Sequence, residues 1–175
     1  MAENLRVVYI GEMVVSDARD DVLVAYGLGS CLAVCLYDPF AKVGGMLHAL
    51  LPTMPNGEPA TRVSSPPTGS HGKPTKYLDQ GVPLLIEALV KLGARRIYLT
   101  AKLCGGSQML SRIGANNHLN IGELNVLAAE AVLHAAHIRI QARATGGHSG
   151  RTVKLYLANG LVMVKTLYEG EQVLG

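Results

Sequence analysis

Residues 26–52 read YGLGSCLAVCLYDPFAKVGGMLHALLP, and this stretch constrains the fold more than any other. Two apolar segments flank a turn at Asp38-Pro39, so they read as neighbouring strands. A glycine-rich turn, Gly27-Leu28-Gly29-Ser30, leads into Cys31 at the start of the first segment. His48 lies in the second, seventeen positions after Cys31 and shortly after Gly44-Gly45. Paired strands would bring thiol and imidazole together, and a nucleophilic thiol needs a base within hydrogen-bond reach to form its thiolate. Glycines let backbone approach closely there. Backbone N–H groups beside a nucleophile can bind a developing oxyanion, which makes Ser30 and the turn through Gly29 candidate donors; the plainer reading is a tight turn.

The chain is long enough, at 175 residues, to bury a core without staples, and reads as one domain over 1–175. Hydrophobic residues make up 49% and charged ones 17%, which argues against disorder. The net charge of +3 is scattered, and aromatic residues are few, so nucleic acid is not an expected partner. No apolar run reaches the length of a membrane span, so insertion in a membrane is not expected. The opening MAENLRVVYIGE lacks a basic region followed by an apolar run, and with three cysteines the expectation is reduced thiols in the cytoplasm.

Taken in order, residues 5–10 read as a strand ended by Gly11-Glu12, residues 17–21 as a polar turn, and residues 22–26 as a buried strand. Residues 31–37 form the next. Period-2 alternation puts Cys31, Ala33 and Cys35 on one face and Leu32, Val34 and Leu36 on the other. Residues 43–51 follow as a fourth. Residues 53–75 carry Pro55, Pro59, Pro66, Pro67 and Pro74 and read as a long loop, either a lid or a disordered segment. Residues 77–92 read as a helix with Leu78, Val82, Leu85, Ile86, Leu89 and Leu92 on one face, Gly93 beyond its end, and a kink or later start at Pro83. Residues 96–103 read as a strand broken by Cys104-Gly105-Gly106, and 107–112 as a helical turn. Asn120 caps a second helix running to about 136, with Glu123 as its capping-box partner and Leu124, Leu127, Ala128, Ala131 and Ala135 facing the core. Residues 138–144 are a strand. Residues 153–157 and 161–167 flank Asn159-Gly160, a strong hairpin signal. The tally is a single-domain α/β sandwich of mixed β-sheets with two main helices.

Eight ordered blocks resemble a known family, the chemoreceptor glutamine deamidases called CheD. They are Gly11-Glu12, GLGSCLAVCLYDP, GGMLHALLP, KYLD, LGARR, AKLCGGSQML, NIGELN and GGHSGR. The resemblance implies a fold similar to the catalytic domain of glutamine-deamidating bacterial toxins. It implies a protein-glutamine deamidase, or glutaminase, in which Cys31 attacks the side-chain amide of glutamines on the cytoplasmic helices of methyl-accepting chemotaxis receptors. His48 would be its general base. Hydrolysis of glutamate methyl esters, and a CheC-type CheY-phosphate phosphatase as partner, are further implications, with no cofactor.

One position departs from the pattern. The family commonly has a threonine six positions before the cysteine to help orient the histidine, and here Ala25 stands there. A methyl group accepts no hydrogen bond, so the Ala25 backbone carbonyl is the expected substitute. The same departure keeps open a non-catalytic binding module that docks receptors or regulates a CheC-type phosphatase. Gly105, Gly106 and Gly147 match family turns that let a helical substrate lie close to backbone, and Arg151 is a candidate contact for an acidic helix; most such glycines are only turns, and most exposed arginines are merely solvated. Zinc is the chemical alternative, through Cys31, Cys35, His48 and His71. The two cysteines lie in a strand run rather than a knuckle, so no metal is expected. His118, His134 and His137 read as surface or helix-end residues.

Overall fold

The computed structural model describes residues 3–55, 73–108 and 120–175. Among them the strands are β1 (Asn4–Val7), β2 (Glu12–Ser16), β3 (Asp21–Leu28), β4 (Leu32–Asp38), β5 (Val43–Ala49), β6 (Thr100–Gly105), β7 (Arg139–Thr145), β8 (Arg151–Tyr156), β9 (Leu161–Thr166) and β10 (Glu171–Val173). The helices are α1 (Leu78–Lys91) and α2 (Ile121–Ala135). Two five-stranded sheets result, ordered β1-β3-β8-β9-β10 and β2-β5-β4-β6-β7. Each contains one parallel pair, β1–β3 in the first and β6–β7 in the second, so both are mixed.

The layers follow from side-chain alternation. Leu32, Val34 and Leu36 of β4 point to a core shared with Leu78, Val82, Leu85 and Leu89 of α1 and with Leu133 of α2. Cys31, Ala33 and Cys35 point the other way, to a second core with Leu23, Ala25, Val153 and Leu155 of the first sheet. The order is therefore sheet, sheet, helices, and the middle sheet is buried on both faces. Every residue of β4 and β5 is buried as a result. A fully buried leucine is worth about 1.5–3 kcal/mol relative to exposure, so this two-sided strand pair is the most heavily anchored part of the molecule.

Asp38 sets the β4–β5 register. Its carboxylate is fully buried and accepts from the N–H groups of Phe40, Ala41 and Arg95 at 2.8, 3.1 and 2.7 Å. The turn expected at Asp38-Pro39 is formed this way, and it places Ala33 opposite His48.

Several sequence expectations need correction. β2 was not expected; the chain crosses from the first sheet to the second over residues 8–11, and the short EMVVS run then pairs at the edge with β5. Residues 96–98 form a 3-10 turn, and the strand expected there starts at Thr100 and continues through Gly105. Pro83 neither starts nor breaks α1, which begins at Leu78; the proline lies on the exposed face of the helix. Asn120 does cap α2, accepting from the Glu123 N–H at 3.0 Å, a cap worth about 1 kcal/mol. The buried face of α2, however, is Gly122, Asn125, Ala129 and Leu133, while Leu127, Ala131 and Ala135 are exposed. Alanines carry too little bulk to mark a face, and the polar Asn125 was not counted as core. The β8–β9 hairpin closes with Tyr156 opposite Leu161, leaving a four-residue turn that contains Asn159-Gly160. β10 was not expected. Residues 56–72, with most of the proline-rich loop, and residues 109–112 of the expected helical turn lie outside the described residues.

Candidate active site

Cys31 stands one residue before β4, at the end of a turn that a bulge redirects. Between Ala25 and Leu28 of β3 the pairing with β8 loses register, because Ala25 faces Val153 whereas Leu28 faces Arg151. One extra residue on β3 at that point bends the strand and aims residues 28–31 toward the second sheet. Cys31 keeps 7% of its surface exposed, against 2% for Cys35 and none for Cys104.

His48 lies between Glu12 of β2 and Ala33 of β4. Residues directly opposite on paired strands share a face, and Cys31 shares the face of Ala33, two positions on. Cys31, just before β4, and His48, on β5, therefore both face the inter-sheet layer.

His48 is 2% exposed, and its Nδ1 lies 3.1 Å from the carbonyl oxygen of Val8. A carbonyl can only accept, so Nδ1 carries the proton and Nε2 is left as a bare base. Among the described residues Nε2 has no hydrogen-bond partner although it is buried. The carbonyl found at Nδ1 is thus Val8's and not that of Ala25, which was expected there. Ala25 sits fully buried in the inter-sheet core and pairs with Val153. Val8 follows β1, donates its own N–H to the Val24 carbonyl at 2.8 Å, and so extends the first sheet up to the imidazole. The second sheet carries His48 and the first sheet orients its ring.

Burial sets the protonation of the pair. It pushes the Cys31 thiol above its ordinary value, although the residue's own backbone N–H, facing the sulfur, works in the opposite direction. Burial likewise pulls the His48 imidazole below its ordinary value, with the Val8 carbonyl opposing. Both shifts favour the uncharged forms, a neutral thiol and a neutral imidazole.

The remaining candidates surround the nucleophile turn. The carbonyl of Gly29 accepts from the Ser107 N–H at 2.8 Å, and that of Cys31 accepts from the Gly106 N–H at 2.8 Å. Ser30 offers its carbonyl to the side-chain amide of Asn125 at 2.8 Å. Gly105 receives the Gly146 N–H, and Gly147 receives the Gln108 N–H, at 3.0 and 2.8 Å. Arg151 is half-buried and donates to the Ser107 hydroxyl at 2.6 Å, while that hydroxyl donates to the Ser149 carbonyl at 2.8 Å. Gly106, Gly147, Glu123 and His148 line a surface hollow beside this network. Val8 and Asn125 are the positions at this site that sequence reasoning missed. A backbone carbonyl has no side-chain signature, and Asn125 was legible only as the last letter of NIGELN.

Among the described residues, no three His, Cys, Asp or Glu side chains are grouped to hold a metal ion. Cys31, Cys35 and Cys104 are free thiols. His71 and His118 lie outside the described residues; His134 and His137 are exposed at the end of α2. Among the described residues no helix is long and apolar enough to cross a membrane.

Comparison with known proteins places the chain. The family described as CheD chemotactic sensory transduction matches over residues 59–166. A protein of Symbiobacterium thermophilum named probable chemoreceptor glutamine deamidase CheD is 42% identical over 171 residues, 98% of this chain and 98% of its own length. One of the same name from Pyrococcus horikoshii is 43% identical over 87% of this chain and 86% of its own. The Thermotoga maritima protein named chemoreceptor glutamine deamidase CheD is 38% identical over 96% of both chains. With such identity along nearly its whole length, this chain belongs to the CheD family.

Proposed function

We propose that this protein deamidates glutamine side chains of methyl-accepting chemotaxis receptors through a Cys31–His48 thioester mechanism, in the cytoplasm. The observation that carries the reading is the buried His48 imidazole. Its Nδ1 is held by the Val8 carbonyl, and its Nε2, without a hydrogen-bond partner among the described residues, lies on the same sheet face as Cys31, which keeps 7% of its surface exposed. The names of its relatives supply the substrate class.

In the first step Nε2 takes the thiol proton as Sγ bonds to the amide carbon. Backbone N–H groups of the turn at Gly29 and Ser30 receive the developing oxyanion. The carbon–nitrogen bond then breaks, and His48 returns the proton to the leaving amide nitrogen, which departs as ammonia. Water, deprotonated by the same Nε2, attacks the thioester, and the sulfur leaves as the thiol with that proton. Glutamate methyl esters would enter the same cycle with methanol as the leaving group. The hollow beside Gly105, Gly106, Gly147 and Arg151 is where a receptor helix would lie. A CheC-type phosphatase would compete for that face.

The test is ammonia release from a purified receptor cytoplasmic fragment, with mass spectrometry to locate each gain of about one dalton from the NH₂-to-OH exchange. Release by the wild-type protein that disappears in Cys31→Ala and in His48→Gln is the expected result. No release from the wild type, with the fragment still bound, would overturn the enzyme in favour of a docking module.

A further inference from the structure

We infer that Asn125 of α2 is a positioning residue that fixes the nucleophile turn against the strand carrying the base. The inference rests on the Cys31–His48 reading above and goes beyond it, because Asn125 touches neither reacting group.

Three successive carbonyls of the turn are anchored, those of Gly29, Ser30 and Cys31. The first and third are held by the backbone N–H groups of Ser107 and Gly106. Asn125 supplies the middle anchor, and it is the side chain among the three. The same Nδ2 donates its second proton to the carbonyl of Leu50, at 3.0 Å, two residues beyond His48. One amide group therefore spans the two chain segments whose relative placement decides the thiol–imidazole distance.

The geometry of the amide excludes the flipped assignment. Both neighbours are carbonyl oxygens, which only accept, so Nδ2 must face them and Oδ1 must point away. Oδ1 is then buried with no hydrogen-bond partner among the described residues. Asn125 is fully buried. A helix that needed only packing at this position would be served better by an apolar side chain, since a buried acceptor without a partner is a destabilising feature. Keeping the amide makes sense if its two donors are needed where they are.

The Ser30–Cys31 peptide is trans, as no cis bonds occur among the described residues. In a trans peptide the C=O and N–H point in opposite directions. Pulling the Ser30 carbonyl toward Asn125 therefore turns the Cys31 N–H away from α2. Asn125 in this way sets the direction of the Cys31 N–H as well as holding the turn.

The experiment uses the full chain with Asn125→Ala and Asn125→Asp. Leu133→Ala, a core truncation on the buried face of the same helix, is the control for stability loss alone. Melting curves first fix a temperature at which all are folded. Deamidation of the receptor fragment is then resolved into kcat and KM. Expected are a fall in kcat of about 100-fold in both Asn125 variants, as for a misplacement near 1 Å, and a KM within about threefold of wild type. Leu133→Ala should keep its kcat at that temperature. Alkylation of Cys31 by iodoacetamide, read by peptide mass, gives a second measure that needs no substrate. It should slow in the Asn125 variants to about the rate of His48→Gln, the variant without a base. Folded Asn125 variants with wild-type kcat and wild-type alkylation would overturn the inference. A wild-type protein that alkylates normally but releases no ammonia would instead overturn the deamidase reading, and the alkylation comparison would still decide the role of Asn125. If Asn125→Ala does not fold, the near-isosteric Asn125→Asp carries the decision.

Discussion

Gly105→Ala is the perturbation whose effect can be worked most fully from the structure. Gly105 closes β6 with φ at +112°, a conformation that side-chain-bearing residues rarely adopt. A Cβ there would collide with the carbonyl oxygen of Cys31, the backbone of the proposed nucleophile. That oxygen cannot swing aside as the tip of a side chain would. It is held by the Gly106 N–H at 2.8 Å, so relief of the collision breaks this bond and leaves a buried donor unpaired. Backbone strain at such a φ costs about 1–3 kcal/mol, and an orphaned buried N–H about 1–3 kcal/mol more. The sum, about 4 kcal/mol, corresponds to a fall in Tm of about 8–16 °C for a chain of this size. Gly27 provides the comparison. It also has positive φ, at +65°, but nothing lies within 4 Å of where its Cβ would be. Gly27→Ala should therefore cost only the conformational strain, about 1–2 kcal/mol. The assay is a thermal melt followed by circular dichroism, with receptor deamidation measured below both transitions. Gly105→Ala should lose most of its activity even while folded, because the displaced carbonyl belongs to Cys31. The reasoning is refuted if Gly105→Ala melts no lower than Gly27→Ala.

Three further outcomes are expected. Catalysis needs His48 neutral, and burial holds its imidazole below the ordinary 6.5, so kcat/KM should stay level down to that pH and fall only beneath it; an acid limb centred above 6.5 contradicts the placement. Iodoacetamide near neutral pH should label Cys31 before Cys35 or Cys104, since the Cys104 thiol is buried and pushed up to about 12. Labelling should nevertheless be slower than for a free thiolate, because burial also raises the Cys31 thiol, and peptide mass mapping reads both the order and the rate. Asp21 is buried and accepts from Ser16, Asn4 and Arg6 at 2.6, 2.6 and 3.0 Å. Burial alone would raise its carboxyl, but these hydrogen bonds hold it below the ordinary 3.8. A depressed carboxyl contributes stability that is complete above the ordinary value and is lost as pH falls through the folded one. Asp21→Asn should cost about 1–3 kcal/mol at pH 7, measured by urea denaturation, and the difference from wild type should shrink in acid below 3.8.

The sequence by itself determined whatever depends on periodicity and on short-range chemistry. Alternation along residues 31–37 assigned Cys31, Ala33 and Cys35 to one face and the leucines and valine to the other, and the two cores divide in that way. Helical spacing marked the buried face of α1, and the Asn120 side chain marked the start of α2. A turn at Asp38 between two apolar segments was enough to pair the strand that follows Cys31 with the strand of His48. Only the tertiary structure decided what orients that histidine and what holds its partner. Val8 is forty positions from His48, and any residue at position 8 would offer the same carbonyl, so no letter of the sequence could advertise it. Asn125 lies 95 positions from Ser30, on a helix whose alanines left its inward face undefined. The proposed nucleophile and base are side chains and can be read from the sequence. Their alignment is made by backbone carbonyls that converge only when two sheets and a helix have packed.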